Sequence, residues 1–131
     1  MYSFYISYRD TDAAGVMYYA NYLAFAEKAR CLWLLDNNVD VAKLHFEKNI
    51  VFPVREVNII YKKSLYLGEK IWITVEIEKV EKYSLLVKQN FINSKGELSA
   101  TGKFKIVCLE NGKLCPIGKY LIFFQDDKKN K

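Results

Sequence analysis

The hydrophobic pattern of the chain has two regimes. Residues 20–36 are apolar almost all the way round a helical wheel, with Glu27, Lys28 and Arg30 as the main polar patch. This run predicts one long helix, and a helix with so little polar surface should be buried on most of its faces. Asn37 and Asn38 end it, since neither favours a helix interior. Beyond it the period becomes two. In residues 71–78, Ile71, Ile73, Val75 and Ile77 face one way, and Trp72, Thr74, Glu76 and Glu78 the other. Residues 54–62, 84–93 and 101–109 read as further strands, with Phe104, Ile106 and Cys108 opposed to Lys103 and Lys105 in the last.

Tight turns fall at Leu67-Gly68-Glu69, Asn93-Ser94-Lys95-Gly96 and Glu110-Asn111-Gly112. Ahead of the helix, residues 2–8 read as a short aromatic-rich strand, and residues 9–19 as a loop punctuated by Gly15. Residues 40–48 have the makings of a short surface helix. The order is thus strand, helix, then four strands joined mostly by hairpins. Hairpins make antiparallel neighbours, so the expected fold is α+β, with a curved antiparallel sheet of about five strands wrapped around one long central helix. No linker or repeat divides the chain, so residues 1–131 read as a single domain, with 126–131 a frayed tail. A sheet with one face on its helix leaves its other face or an edge to a second subunit.

The loop before the helix carries the chemistry. Asp10 and Asp12 sit in it, just ahead of a helix start whose free amides stabilise anions. Two readings of the residues stand at this point. The aspartates cap a turn, or one of them acts as a general base toward water or as a nucleophile on a thioester. In the second reading a backbone amide near Tyr19 polarises the carbonyl, and Gly15 lets the loop turn sharply. Glu27 and Arg30 lie three apart on one helix face, and an ion pair is the expectation there.

Composition narrows the choice. The chain has 131 residues, a hydrophobic content of 51% and 15% aromatics, the latter suiting an oligomer interface or an apolar ligand groove. Three cysteines, Cys31, Cys108 and Cys115, show no C-x-x-C spacing, which argues against a disulfide scaffold and for a reducing cytoplasm. No signal peptide or membrane span is evident. The one histidine, His45, is remote from the loop, so Ser-His-Asp and Cys-His chemistries are disfavoured. Metal ligands are lacking, and no cofactor is expected.

Residues 1–42 hold three Lys/Arg and five Asp/Glu, a net −2, whereas residues 43–131 hold seventeen and ten, a net +7. Basic surface suits a polyanion or a phosphorylated small molecule. Nucleic acid is disfavoured as a partner, because the lysines are dispersed along alternating strands without an arginine stripe.

Residues 10–30, D-T-D-A-A-G-V-x-Y-x-A-N-Y-L-x-F-x-E-x-A-R, closely resemble the signature of the hotdog-fold acyl-CoA thioesterases. Within them the chain resembles the Tol-Pal-associated branch, relatives of 4-hydroxybenzoyl-CoA thioesterase. A weaker likeness runs on through Phe52-Pro53, Lys82-Tyr83-Ser84 and Pro116. The resemblance implies an acyl-CoA hydrolase with Asp12 as its catalytic carboxylate, Asp10 in support and the amide of Tyr19 on the thioester carbonyl. Gly15, Tyr18 and Asn21 of the motif fall around the substrate, and Lys82 beside Ser84 matches a position that meets coenzyme A phosphates. It also implies a homodimer or homotetramer with the site between subunits. The branch commonly has His where this chain has Tyr19, and a phenol does not replace an imidazole as base near neutral pH. That departure keeps a second reading in view: a non-catalytic module binding an acyl thioester or a partner near cell-envelope machinery.

Overall fold

The computed structural model describes residues 1–121, so the tail expected at 126–131 lies outside the described residues. Strand β1 (Tyr2–Tyr5) leads through a 3-10 turn at Tyr8–Asp10 to helix α1 (Tyr19–Asp36) and then α2 (Val41–Lys48). Seven strands follow: β2 (Ile50–Val51), β3 (Val54–Tyr61), β4 (Lys70–Ile73), β5 (Glu76–Val80), β6 (Ser84–Ile92), β7 (Leu98–Glu110) and β8 (Lys113–Cys115). The sheet therefore has eight strands, not about five, and all its pairings are antiparallel. Its path runs β1-β4-β6-β7-β2, with β3 and β8 also on β7 and β5 on β6.

The extra strands have plain causes. β2 and β8 are two and three residues long and exist only as partners of the far end of β7. The stretch read as one strand, 71–78, is two, because its backbone breaks at Thr74. There the Thr74 hydroxyl accepts the Asn90 amide at 2.9 Å while the Thr74 amide donates to the Asn90 carbonyl at 3.0 Å. β4 pairs the end of β6 and β5 its beginning. The first strand stops at Tyr5, since Ser7 starts the 3-10 turn.

α1 begins one residue earlier than expected and ends at Asn37, with Asn38 in the left-handed region at φ 65°. Asp40 caps α2 by accepting the Lys43 amide at 3.1 Å, a side-chain bond that satisfies an otherwise orphaned donor. The hairpin turn at Asn111-Gly112 puts both residues at positive φ, 53° and 78°, the mirror-image turn that matches strand twist.

The core lies between α1 and the sheet. Tyr22, Phe25, Ala26, Ala29 and Leu34 come from the helix, and Ile71, Ile73, Leu85, Val87, Phe91, Ala100, Phe104 and Ile106 from the strands. Arg30 turns inward with them and does not form the expected ion pair with Glu27. Its guanidinium donates to the Gln89 side-chain carbonyl at 2.9 Å and lies 4.6 Å from the Phe104 ring centroid. Gln89 in turn donates to the Ala26 carbonyl at 3.0 Å, tying helix to sheet through buried polar groups. Burial in low dielectric lowers the pKa of Arg30, with the charge of Glu27 opposing.

Within this one chain α1 is not buried on most faces. Leu23, Leu32 and Leu35 are exposed on its outer side, Leu35 by 54%. The long edge strand β3 also leaves Val57, Ile60 and Tyr61 exposed.

Candidate active site

The loop between the 3-10 turn and α1 is built on hydrogen bonds of its two aspartates, which play different parts. Asp10 is structural. One carboxylate oxygen accepts both the amide and the hydroxyl of Ser7 at 2.9 Å. Its backbone carbonyl accepts the Tyr18 amide at 3.0 Å and the Asn21 side-chain amide at 2.8 Å. Asp10 and Asn21 thus fix where the helix starts, and neither lines the pocket described next.

Asp12 holds its own loop and still presents an oxygen. The amides of Ala14 and Val16 donate to its Oδ1 at 2.9 and 3.2 Å, while Oδ2 has no hydrogen-bond partner among the described residues. The backbone closes around it: the Asp12 amide meets the Val16 carbonyl and the Gly15 amide meets the Asp12 carbonyl. Gly15 sits at φ 76°, a conformation open to glycine but strained for other residues. Its carbonyl accepts the Leu67 amide at 2.9 Å, and the Met17 amide donates to the Leu65 carbonyl at 2.7 Å. The loop is pinned to the segment after β3.

Asp12 lines a pocket of about 390 Å³ with Val16, Met17, Tyr18, Tyr19, Tyr22, Tyr61, Lys62, Lys63 and Ser64. The volume lies in the range of small-molecule sites. Tyr18 caps α1 without a side-chain bond, and the first turn contains no acidic residue. The leading amides of α1, those of Tyr19 and Ala20, come too early for an intrahelical carbonyl and form the positive end of the helix. Tyr18 and Tyr19, at this helix start, line the same pocket as Asp12.

Three aromatic rings support this end. Tyr61 packs against Tyr19 and Tyr22, each at 4.9 Å between centroids, and Tyr22 continues to Phe91 at 5.1 Å. Burial raises the pKa of Tyr22, with the hydrogen bonds to Ser99 and Leu65 opposing. Burial also raises Tyr61, helped by Tyr19. Both phenols stay protonated near neutral pH.

Of the residues expected from sequence, Asp12, Tyr18 and Tyr19 come together here, and Gly15 shapes the loop. Lys82 and Ser84 do not join them within one chain. Ser84 is buried at the start of β6, and Lys82 stands beside the Tyr83 ring while its carbonyl accepts the Ile117 amide. The residues that sequence reading missed are Tyr61, Lys62, Lys63 and Ser64. The basic doublet directly after a strand was their visible signal. Lys63 pairs with Glu97, whereas Lys62 has no carboxylate in ion-pair contact among the described residues. Nor do the described residues gather three or more His, Cys, Asp or Glu into a metal site, and none of their helices is long and apolar enough to cross a membrane.

Comparison with known proteins places the chain in a family. The model of the thioesterase-like superfamily matches residues 6–121. The chain is 32% identical over 111 residues to the acyl-CoA thioester hydrolase YbgC of Escherichia coli, covering 85% of this chain and 82% of that protein. It is 28% identical over 105 residues to a 1,4-dihydroxy-2-naphthoyl-CoA hydrolase of Thermosynechococcus vestitus, covering 80% and 72%. Among solved structures, a DHNA-CoA thioesterase from Staphylococcus aureus superposes with a TM-score of 0.85 at 27% identity, covering 98% of this chain and 87% of that one. With its helix laid on an antiparallel sheet and its match over nearly the whole described chain, this protein belongs to the thioesterase-like superfamily and has the hotdog fold.

Proposed function

We propose that this protein is an acyl-CoA thioester hydrolase that uses Asp12 as its catalytic carboxylate and the amide at Tyr19 as the donor to the thioester oxygen. The observation that carries the reading is the unpartnered Oδ2 of Asp12 in a pocket that Tyr18 and Tyr19, at the start of α1, also line. Hydrolysis of a thioester places negative charge on the carbonyl oxygen, and preorganised amides at a helix start stabilise that charge most where it develops. Two routes use the carboxylate. As general base it takes a proton from water, which attacks the carbonyl carbon; as nucleophile it forms a mixed anhydride that water then opens. In both the thiolate of coenzyme A departs and a carboxylic acid is formed. A single turnover in ¹⁸O-labelled water tests for the second route: label in Asp12 shows an anhydride opened at the Asp12 carbonyl, whereas general-base attack, like opening at the acyl carbonyl, puts the label in the acid product.

Tyr19 acts through its backbone in this proposal, so the family's histidine is not required for the oxyanion contact. The finer placement in the Tol-Pal-associated branch rests on the loop-helix motif of residues 10–30. A cytoplasmic setting rests on the unpatterned cysteines. Coenzyme A, as part of the substrate, brings its own phosphates, and no separate cofactor is invoked. Lys62 at the rim of the pocket suits those phosphates. Lys62→Ala is expected to raise KM for coenzyme A esters about two- to fivefold, in line with the loss of one exposed charge contact, with kcat nearly unchanged. An unchanged KM would remove Lys62 from the phosphate site.

Lys82, exposed on the turn before β6, reaches the pocket in this reading from a second copy of the chain, while Tyr18 lines the substrate side and Gly15 and Asn21 act through the shape of the loop and helix start. The unpaired edge of β3 and the exposed leucines of α1 are the surfaces a second copy would cover. Light scattering on the purified protein is expected to give a dimer or tetramer mass; a monomer mass at micromolar concentration would contradict an intersubunit site. The activity itself is tested by thiol release from short, long and aromatic acyl-CoA esters. Turnover of any of them supports hydrolysis and shows the acyl preference. Binding of every ester without turnover favours the alternative of a non-catalytic acyl-thioester module, with Tyr19 as the departure responsible.

A further inference from the structure

Two thiols that the proposed chemistry leaves unused face each other at the end of the sheet. Cys108 of β7 and Cys115 of β8 are register partners across an antiparallel pair. Both are buried, with 0% and 7% of their surfaces exposed. The Cys115 thiol donates to the Cys108 sulfur at 2.7 Å. Directly opposed residues in such a pair hold their Cβ atoms about 4.5–5.5 Å apart, a range that meets the upper end of disulfide geometry. The hairpin brings together two cysteines seven residues apart, while Cys31 stays on α1. Simple packing explains one small buried cysteine, but it does not require two to meet sulfur to sulfur.

We infer that Cys108 and Cys115 form a reversible cross-strand disulfide by exchange with a small disulfide such as oxidised glutathione. Cys115 reacts first. It is the more exposed of the two, and it ends a three-residue strand whose preceding residues, Asn111 to Leu114, are all exposed. Its thiolate attacks one sulfur of glutathione disulfide, forming a mixed disulfide and releasing one glutathione thiolate. Cys108 then gives up its proton and attacks the Cys115 sulfur, expelling the second glutathione. Two electrons pass from the protein thiols to the small disulfide, and the two protons end on the two glutathiones. Burial pushes the Cys108 thiol up to about 12, so the second step is the slow one. Closure would bond β8 covalently to β7 two residues before Ile117, whose amide donates to the Lys82 carbonyl at 2.9 Å.

The test equilibrates the native protein with excess oxidised glutathione, quenches with acid, alkylates under denaturing conditions and reads the intact mass. The expected result is a loss of two of the three alkylations, with a peptide linking Cys108 to Cys115 and Cys31 still alkylated. The Cys115→Ser protein is expected to keep both remaining thiols alkylated under the same treatment. Three alkylations in the wild-type protein at equilibrium would overturn the inference. So would a stable glutathione adduct on Cys115 without the internal bond, or a bridge containing Cys31.

Discussion

Replacing Asp12 by Asn is expected to lower kcat/KM for acyl-CoA hydrolysis by at least about a hundredfold, the scale on which a positioned acid–base group acts. Asn keeps the side-chain carbonyl that accepts the amides of Ala14 and Val16, so the loop geometry survives. What disappears is the charge and basicity at the Oδ2 position. Because Asp12 is exposed and outside the core, the variant should melt within about 1 kcal/mol of the parent. Steady-state kinetics alongside a thermal or urea melt checks both halves. Equal losses of activity and stability would mean that Asp12 is a loop cap and not a catalyst.

The second large effect lies in the core. Phe91→Ala is expected to cost about 3–5 kcal/mol, the range for removing a buried aromatic side chain without collapse of the site. That is a sizeable part of the roughly 5–15 kcal/mol that holds a domain folded. Phe91 is fully buried on β6, in register with Ile73 on one side and Ala100 on the other. Its ring also supports Tyr22, which supports Tyr61, which meets Tyr19 at the pocket. Hydrolysis should therefore fall with stability, as the start of α1 loses the packing that fixes it. Phe91→Leu should recover most of both. A urea melt showing a loss below about 1 kcal/mol for Phe91→Ala would refute this account of the core.

The sequence told more about the fold's long elements than about its short ones. Residues 20–36 announced themselves as a helix because their apolar run is bracketed by a glycine loop and two asparagines. The hairpins after β6 and β7 announced themselves through Gly96 and Asn111-Gly112, and the turn ahead of β4, between strands that do not pair, through Gly68; their positive φ values are a local demand that sequence records directly. β2 and β8 were invisible, since strands of two and three residues are created by pairing with β7 and carry no period of their own. The break at Thr74 depends on one side chain choosing the Asn90 amide, which alternation cannot report. Helical periodicity likewise left open which member of the patch Glu27, Lys28 and Arg30 turns inward; Gln89, 59 residues further on, decides for Arg30.

The site divides the same way. Asp12, Tyr18 and Tyr19 are local in sequence and were legible together. Tyr61 to Ser64 enter the pocket only because the loop of Asp12 is bonded to residues 65–67. The opposed cysteines were hidden for a related reason: their meeting depends on hairpin register, not on spacing.

The central claim is that Asp12 turns an acyl-CoA binding site into a hydrolase. Its most direct test measures both binding and turnover of one coenzyme A ester by the wild-type and Asp12→Asn proteins. The account predicts that both bind the ester with similar affinity and that only the wild type releases thiol at an appreciable rate. Thiol release by the Asp12→Asn protein at the wild-type rate would contradict it.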